Sequence, residues 1–351
     1  MEWLALKIVT KASFKYLSSV KEALFSYENK YERGNLIRAE SSILSPEEKQ
    51  PKKYKSDSYY NVFHLITNSF LRRSNDLFRR SYVALFLTKI LIKTGFISNV
   101  KTPAELKENA CFIGGLVLRH LQSISCNAHE ISQLKLDDDL KKPLEKGVCK
   151  PVGAGIYALL SIFNHSCEPH VTRNFVGSRC QVRMIRNANK NEEIFDNYGV
   201  IYAVNTSGER EDKLCNQYFF TCRCRACNLS WPLFEKIPND FKAIGIRCSE
   251  CNNEKDAKKG CSACENELDS VRVFQYLSEK AIDNLLVLRE SLELNELPTQ
   301  KKIALIYDSF CEYLQVLDEY KIKRPFRDIN DYQEALKQCL NLIHLIINKD
   351  F

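Results

Sequence analysis

The feature that most constrains this chain is the uneven distribution of its cysteines, since seven of the 15 lie between residues 222 and 264. Thiols this close along a chain are poorly placed for mutual disulfides but well placed to wrap one tetrahedral ion. The segment is therefore predicted to fold around metal, in groups with the patterns C-x-C-x2-C and C-x2-C-x9-C-x2-C. The first group is Cys222, Cys224 and Cys227, and the second is Cys248, Cys251, Cys261 and Cys264.

Zinc is the ion that both patterns favour, because it is redox-inert and accepts four thiolates without geometric strain. The second group supplies four ligands and predicts a closed structural site, whereas the first needs a fourth ligand from elsewhere in the fold. The alternative for the first group is free surface thiols, which is disfavoured because exposed thiol clusters are reactive. Packing in the core is expected for Cys111, Cys126, Cys149, Cys180, Cys215, Cys311 and Cys339.

The composition is that of a soluble globular protein, with 44% hydrophobic and 27% charged residues in 351 positions. That length suits two or three domains and a core that needs no disulfides. Lys and Arg exceed Asp and Glu by 51 − 44 = 7, which alone does not identify a nucleic-acid-binding protein. The sequence has no apolar run of membrane-spanning length, and residues 1–17 are amphipathic rather than a signal peptide. We therefore expect an intracellular protein, in the nucleus, the cytoplasm or both.

Local patterns separate helical from strand-forming parts of the chain. Residues 1–38 and 59–125 have helical periodicity, and a polar loop is expected between them. Within the second stretch, Thr102, Pro103 and Glu105 predict a helix start with a threonine cap and proline at the first helical position. Short apolar runs between residues 131 and 198 predict small strands and tight turns. Amphipathic helical segments follow over 270–351, so the overall prediction is an α+β fold.

Several segments occur in an order that carries more information than any one of them. Residues 164–170, Asn-His-Ser-Cys-Glu-Pro-His, predict a buried turn whose short polar side chains satisfy their own backbone. A strand over 180–185, the acidic stretch 192–199 and an aromatic pair ending at Phe220 follow, just before the C-x-C-x2-C group. This ordered set resembles a SET domain. More closely, it resembles the SET and MYND domain (SMYD) family of lysine methyltransferases, in particular its member 4 branch and the insect relatives of that branch.

The resemblance implies a β-rich SET core with a helical insert, a post-SET zinc site and an all-helical C-terminal domain. The expected boundaries are 1–125 for the helical insert, 126–205 for the SET core, 206–269 for the post-SET region with the second zinc knuckle, and 270–351 for the helical domain. Family members carry a Gly-rich SET strand and a MYND zinc finger ahead of this region, and we expect both to be missing from the sequence given.

The resemblance also implies roles for individual residues. The family's S-adenosylmethionine contacts correspond to Asn127, Asn164 and His165, while Phe220 is implied to stack on the adenine. Tyr198 matches the family's catalytic tyrosine, which also lies against the cofactor. Each of three residues has a plainer alternative: Asn127 as a helix cap, His165 as a satisfied core histidine, and Tyr198 as a buried strand aromatic. The cysteine of the Asn-His-Ser-Cys turn completes the post-SET zinc site in the family, so the implied ligands are Cys167, Cys222, Cys224 and Cys227.

The function implied is S-adenosylmethionine-dependent transfer of methyl to a lysine of a protein substrate, histone or non-histone, by a monomer with two structural Zn²⁺ sites. Two alternatives remain open at this point. One is a catalytically inactive SET and zinc scaffold that acts as an interaction module in transcriptional regulation. The other is a nucleic-acid-binding ribbon around Lys255, Lys258 and Lys259, which is disfavoured because no aromatic residues accompany these lysines. We therefore expect neither a nucleic-acid nor a membrane partner.

Overall fold

A computed structural model describes residues 1–25, 58–135, 148–239, 246–247, 251, 253–255, 269–293, 299–319 and 322–349. The chain divides into two compact units. The first comprises residues 1–129 and 155–161, and the second comprises residues 130–154 and 162–351. No described helix has both the length and the hydropathy that are needed to span a membrane.

The first unit is built from helices that pack around an apolar core. Its longest helix is buried along most of its length from Phe112 onward, including Ile113, Val117 and Ile124. These side chains join apolar residues of the neighbouring helices in one cluster, so burial of amphipathic faces holds the unit together. The helices are α1 (Glu2–Ala12), α2 (Phe14–Ser19), α3 (Tyr59–Phe63), α4 (Ser74–Lys93) and α5 (Pro103–Asn127).

Helix α5 begins where the sequence predicts. The hydroxyl of Thr102 accepts a hydrogen bond from the backbone N–H of Glu105 at 3.1 Å, and Pro103 is the first helical residue. The carboxylate of Glu105 turns back to the N–H of Lys101, at 2.9 Å, and satisfies another donor at the helix entry. The N-terminus of α5 is therefore fixed by local side-chain contacts, as a threonine cap requires.

Strands β1 (Ala128–Lys135) and β2 (Val148–Ile156) form one two-stranded sheet, and most of the other strands are short pairs in the second unit. Strands β3 (Asn164–His165) and β6 (Phe195–Asp196) pair in parallel. Strands β4 (Val171–Val176) and β5 (Arg179–Met184) form an antiparallel hairpin, whose tight connection places Gly177 at φ +55°. Strands β7 (Ile246–Arg247) and β8 (Glu254–Lys255) form a further antiparallel pair.

The helices of the second unit include α6 (Ser207–Lys213), α7 (Arg225–Asn228), α8 (Asp269–Glu293), α9 (Gln300–Glu319) and α10 (Arg327–Lys349). The last three share an apolar core in which Phe310, Tyr313 and Phe326 are fully buried. Helix α10 also reaches the strand region, since Gln333 donates to the backbone carbonyl of Ile185 at 3.2 Å. The predicted mixture of helix and strand, with a large helical C-terminal region, is confirmed.

Candidate active site and metal centre

The Asn-His-Ser-Cys segment forms a tight turn that begins as strand β3. Ser166 donates its backbone N–H to the carbonyl of Asp196 at 2.9 Å, and its hydroxyl accepts the N–H of Glu168 at 3.1 Å. Such a local side-chain bond is the kind that the short polar residues of this segment predict. The turn leaves the exposed Asn164 and the buried His165 and Cys167 on different sides of the chain.

Four cysteines converge at the end of this turn. The sulfur atoms of Cys167, Cys222, Cys224 and Cys227 all lie within 4.8 Å of one another. The Cys167 sulfur is 4.0 Å from that of Cys222 and 3.6 Å from that of Cys227. Tetrahedral Zn²⁺ with Zn–S bonds of about 2.3 Å separates its sulfur ligands by about 3.8 Å, so the donor set and its spacing fit zinc.

The backbone around these sulfurs is arranged by a short helix and a buried aromatic residue. Cys224 precedes the first residue of α7, and its N–H lies 3.4 Å from the sulfur of Cys222. The hydrogen bond with Cys222 raises the pKa of Cys167, whereas the one with Cys167 lowers the pKa of Cys224. Trp231 is 6% exposed and packs in the small apolar cluster that surrounds the four thiols.

Two nitrogen donors approach the thiols from inside the protein. The guanidinium of Arg210, which is 2% exposed, lies 3.5 Å from the sulfur of Cys227 and donates to the carbonyl of Asn205 at 2.7 Å. Nε2 of His165 lies 3.4 Å from the sulfur of Cys167. Burial lowers the pKa of His165 to about 4, with Arg210 adding to that decrease and Cys224 opposing it.

Tyr198 is held at both its backbone and its side chain. Its N–H donates to Nδ1 of His165 at 3.0 Å, and its hydroxyl donates to the backbone carbonyl of Phe163 at 2.7 Å. The preceding Asn197 donates its side-chain amide to the carbonyls of Ser166, at 3.0 Å, and Val200, at 2.6 Å. Tyr198 therefore has a defined position beside the Asn-His-Ser-Cys turn.

Aromatic rings surround Tyr198. The ring centroid of Tyr198 lies 5.2 Å from that of His165, 4.7 Å from that of Tyr218 and 6.3 Å from that of Phe220. A π-helical turn, Leu214–Tyr218, leads into this cluster, and Phe219 then takes a left-handed backbone conformation with φ 64°. Left-handed backbone is costly for a residue with a large side chain, so the strain at Phe219 accompanies the placement of its neighbours.

Comparison with known proteins identifies the domain that contains His165, Cys167 and Tyr198. Residues 28–199 match the SET domain family. The protein-lysine N-methyltransferase SMYD4 of Mus musculus is 32% identical over 115 residues, which cover 33% of this chain and 14% of the mouse protein. The Homo sapiens protein of the same name is 28% identical over 140 residues, covering 40% of this chain and 17% of its own length. The histone-lysine N-methyltransferase ASHR1 of Arabidopsis thaliana is 31% identical over 140 residues, which cover 40% and 25%.

The chain contains a match to the SET domain and is similar to SET and MYND domain methyltransferases, SMYD4 among them. It spans between about a seventh and a quarter of the length of these curated relatives.

Of the cofactor contacts that the SET and MYND domain resemblance implies, four lie in the second unit. His165, Tyr198 and Phe220 belong to one aromatic cluster, since the rings of His165 and Phe220 are also 6.1 Å apart. Asn164 is the exposed residue next to His165, and its amide donates to the carboxylate of Glu193 at 2.6 Å. Three of the implied residues are therefore in ring contact with one another, and the fourth, Asn164, directly precedes one of them in the chain.

Asn127, the remaining implied contact, belongs to the first unit and is the last residue of α5. Its side-chain amide donates to the carbonyls of Ser123 at 2.8 Å and Ile66 at 2.9 Å. These bonds are those of a residue that closes a helix and fixes the adjoining loop, which is the plainer alternative for Asn127. They leave its cofactor role a prediction.

The second predicted zinc knuckle falls mostly outside the described residues, which include Cys251 but not Cys248, Cys261 or Cys264. Sequence reasoning did not single out three other residues of the site. They are Arg210 beside the thiols, Tyr218 beside Tyr198, and Glu193, which accepts the hydrogen bond of Asn164. Arg210 lies in a run of charged residues that predicts a solvated helix, so its burial is set by packing alone. Tyr218 directly precedes the aromatic pair that ends at Phe220, and that proximity was the available signal.

Proposed function

We propose that this chain is the SET region of a protein-lysine N-methyltransferase that uses S-adenosylmethionine. The proposal rests on one observation above all: Tyr198, His165 and Phe220 form a single aromatic cluster next to a complete four-cysteine centre. The relatives named protein-lysine and histone-lysine N-methyltransferases support the same reaction. The substrate is a protein that presents a lysine side chain.

The residues around Tyr198 fit a positively charged methyl donor. S-adenosylmethionine supplies a sulfonium methyl group that is transferred in line to a neutral amine. Glu193 and Asn164 place a carboxylate and an amide on the exposed side of the turn, where they suit the cationic part of such a ligand. The half-buried ring of Phe220 offers an aromatic face for the adenine.

Tyr198 has the arrangement that orienting an amine requires. Because its hydroxyl donates to the carbonyl of Phe163, its oxygen keeps lone pairs that can accept an N–H from a lysine amine. That contact directs the nitrogen lone pair toward the methyl group, which contributes by alignment. The rings of Tyr218 and Phe220 lie beside the ring of Tyr198, and aromatic surroundings of this kind would disfavour the charged form of the lysine.

The role of the zinc centre is structural. Cys167, Cys222, Cys224 and Cys227 would hold the ion with four thiolates, which would leave no open position for substrate or water. Cys222 lies two residues after Phe220, and metal binding there fixes the segment that carries this ring. A second zinc site at Cys248, Cys251, Cys261 and Cys264 is part of the proposal, on the strength of their spacing.

The decisive experiment is calorimetric titration of S-adenosylmethionine into the zinc-loaded chain, followed by methyl-transfer assays with tritiated cofactor on core histones and lysine peptides. Phe220→Ala is expected to weaken cofactor binding about 5- to 150-fold, since stacking of a base on an aromatic ring contributes about 1–3 kcal/mol. Tyr198→Phe is expected to keep binding within about threefold and to lower the transfer rate by about a hundredfold or more. The matched control is Tyr276→Phe, at a tyrosine that is 63% exposed.

Binding by the wild-type chain together with loss of transfer in Tyr198→Phe supports the enzyme. Failure of the wild-type chain to bind the cofactor would reject the proposed function for this chain and favour the scaffold alternative. Full transfer activity in Tyr198→Phe would remove the catalytic role of Tyr198 alone.

A further inference from the structure

His165 lies between the metal centre and the proposed catalytic tyrosine, and both of its ring nitrogens are engaged. Nδ1 accepts the backbone N–H of Tyr198 at 3.0 Å, while Nε2 faces the sulfur of Cys167 at 3.4 Å. The side chain is 7% exposed, so bulk water does not compete for either nitrogen. The ring is therefore a direct bridge between a metal ligand and Tyr198.

The two contacts require one tautomer of the ring. A nitrogen that accepts the N–H of Tyr198 carries no proton, so the proton of the neutral ring lies on Nε2 and points at Cys167. A metal-bound thiolate has lone pairs and no proton, and it can only accept that hydrogen bond. A thiol can donate as well as accept, so without metal the Cys167 sulfur does not select this tautomer, and only the Tyr198 N–H favours it.

We propose that metal binding at the four-cysteine centre fixes His165 in the Nε2–H tautomer and thereby holds the backbone of Tyr198. His165 is a positioning residue in this arrangement, and the coupling runs from Cys167 through the imidazole to the Tyr198 N–H. It rests on the proposed function only for the role of Tyr198, because the coupling itself is measured without S-adenosylmethionine.

Arg210 provides the matched comparison for His165. Its guanidinium also approaches a thiol of the centre, with 3.5 Å to the sulfur of Cys227, but its other hydrogen bond goes to the carbonyl of Asn205 rather than to Tyr198. Loss of either donor is expected to weaken zinc binding about 10–100-fold, as for other residues that hydrogen-bond to metal ligands. Only loss of His165 is expected to release Tyr198.

The first test uses the wild-type chain labelled with ¹⁵N-histidine. Two-bond ¹H–¹⁵N spectra distinguish the tautomers, and the chain contains only six histidines to assign. The zinc-loaded protein is expected to show His165 as Nε2–H, with slow exchange of the Tyr198 amide. Removal of zinc with a chelator is expected to change that pattern and to speed the exchange at least tenfold. The same tautomer and the same exchange rate in both states would overturn the coupling.

The second test compares His165→Phe with Arg210→Gln, using a chromophoric chelator for zinc affinity and Co²⁺ absorption for the number of thiolate ligands. Both variants are measured at saturating zinc. The bridge is supported if the Tyr198 backbone amide exchanges fast in His165→Phe and at the wild-type rate in Arg210→Gln. Slow exchange in both variants contradicts it. If His165→Phe holds no metal at all, the tautomer measurement on the wild-type chain decides. Because no step uses the cofactor, a failed cofactor titration would reject the proposed function and leave this result standing.

Discussion

The core of the first unit and the four-cysteine centre of the second differ in how much apolar surface they bury. Around α5, many apolar side chains are buried in one cluster, so the helices stabilise each other by removing hydrophobic surface from water. Around the four thiols the apolar cluster is small, and its buried members are Cys167, Tyr202, Ala203, Ala226, Trp231 and Ile237. With so few buried apolar side chains, the region around the four thiols is expected to depend on metal binding for its stability.

This difference in apolar burial predicts how each region responds to the substitution of a single residue. A large apolar cluster loses stability in steps when single side chains are truncated, because the neighbours remain packed. A four-thiolate centre is expected to lose its stability almost completely when one ligand is lost, because the free energy of zinc binding contributes directly to folding. The two tryptophans help to separate the responses, since Trp3 lies in the first unit and Trp231 beside the thiols.

The largest expected effect is loss of the metal through Cys227→Ser. Structural zinc contributes about 10–16 kcal/mol in zinc-finger peptides at neutral pH, so loss of one ligand should empty the centre and unfold its surroundings. In a Trp3→Phe background, the emission of Trp231 is expected to shift to longer wavelength, with zinc content measured in parallel. Cys111→Ser, at an exposed thiol of α5, is the control and should change neither reading. Retained zinc in Cys227→Ser would show that this thiol is not a ligand.

A smaller effect is expected from Ile113→Ala in the first unit. Ile113 has no exposed surface, and truncation of a buried isoleucine costs about 4 kcal/mol through lost burial and the cavity that remains. The methyl signal of Ile124 during urea unfolding reports the stability of the same cluster. The matched control is Leu85→Ala, at a side chain that is 71% exposed, where a change within about 0.5 kcal/mol is expected. Altered zinc content in Ile113→Ala would contradict the separation of the two regions.

Features that depend on neighbouring residues could be predicted from the sequence. The start of α5 follows from Thr102 and Pro103, whose contacts are local. The amphipathic stretch 331–347 predicts α10, which extends over Arg327–Lys349. Strand β5 was predicted one residue late, at 180–185 rather than Arg179–Met184.

Features that depend on distant packing could not be predicted from spacing. Cys167 lies 55 residues before Cys222, and its selection as a ligand came from family resemblance rather than from local pattern. Of the small strands predicted between residues 131 and 198, the last covers only Phe195–Asp196, and the side-chain amide of Asn197 then donates to the carbonyls of Ser166 and Val200. Neither the bridge through His165 nor the burial of Arg210 has a sequence signal, since both depend on chain segments that meet only in the fold.

The smallest of these effects is a pH dependence that belongs to the first unit alone. His120 is fully buried in α5, with Nε2 2.7 Å from the hydroxyl of Tyr59, and burial lowers its pKa from 6.5 to about 3. Between pH 6.5 and about 3, His120 is protonated in the unfolded chain but not in the folded chain. The free energy of unfolding of this unit therefore falls as the pH falls. At pH 4.5, two units below the unfolded pKa, the loss is about 3 kcal/mol.

His120→Gln keeps an amide for Tyr59 but does not titrate, so urea unfolding at pH 7 and pH 4.5 should show about 3 kcal/mol less acid sensitivity than in wild type. The Ile124 methyl signal again reports this unit, which separates the effect from proton competition for the thiolates of the metal centre. Equal slopes in wild type and variant would mean that His120 is not the source of the acid sensitivity. Unequal slopes would complete the contrast, because acid would then act on one region through a buried imidazole and on the other through its metal ligands.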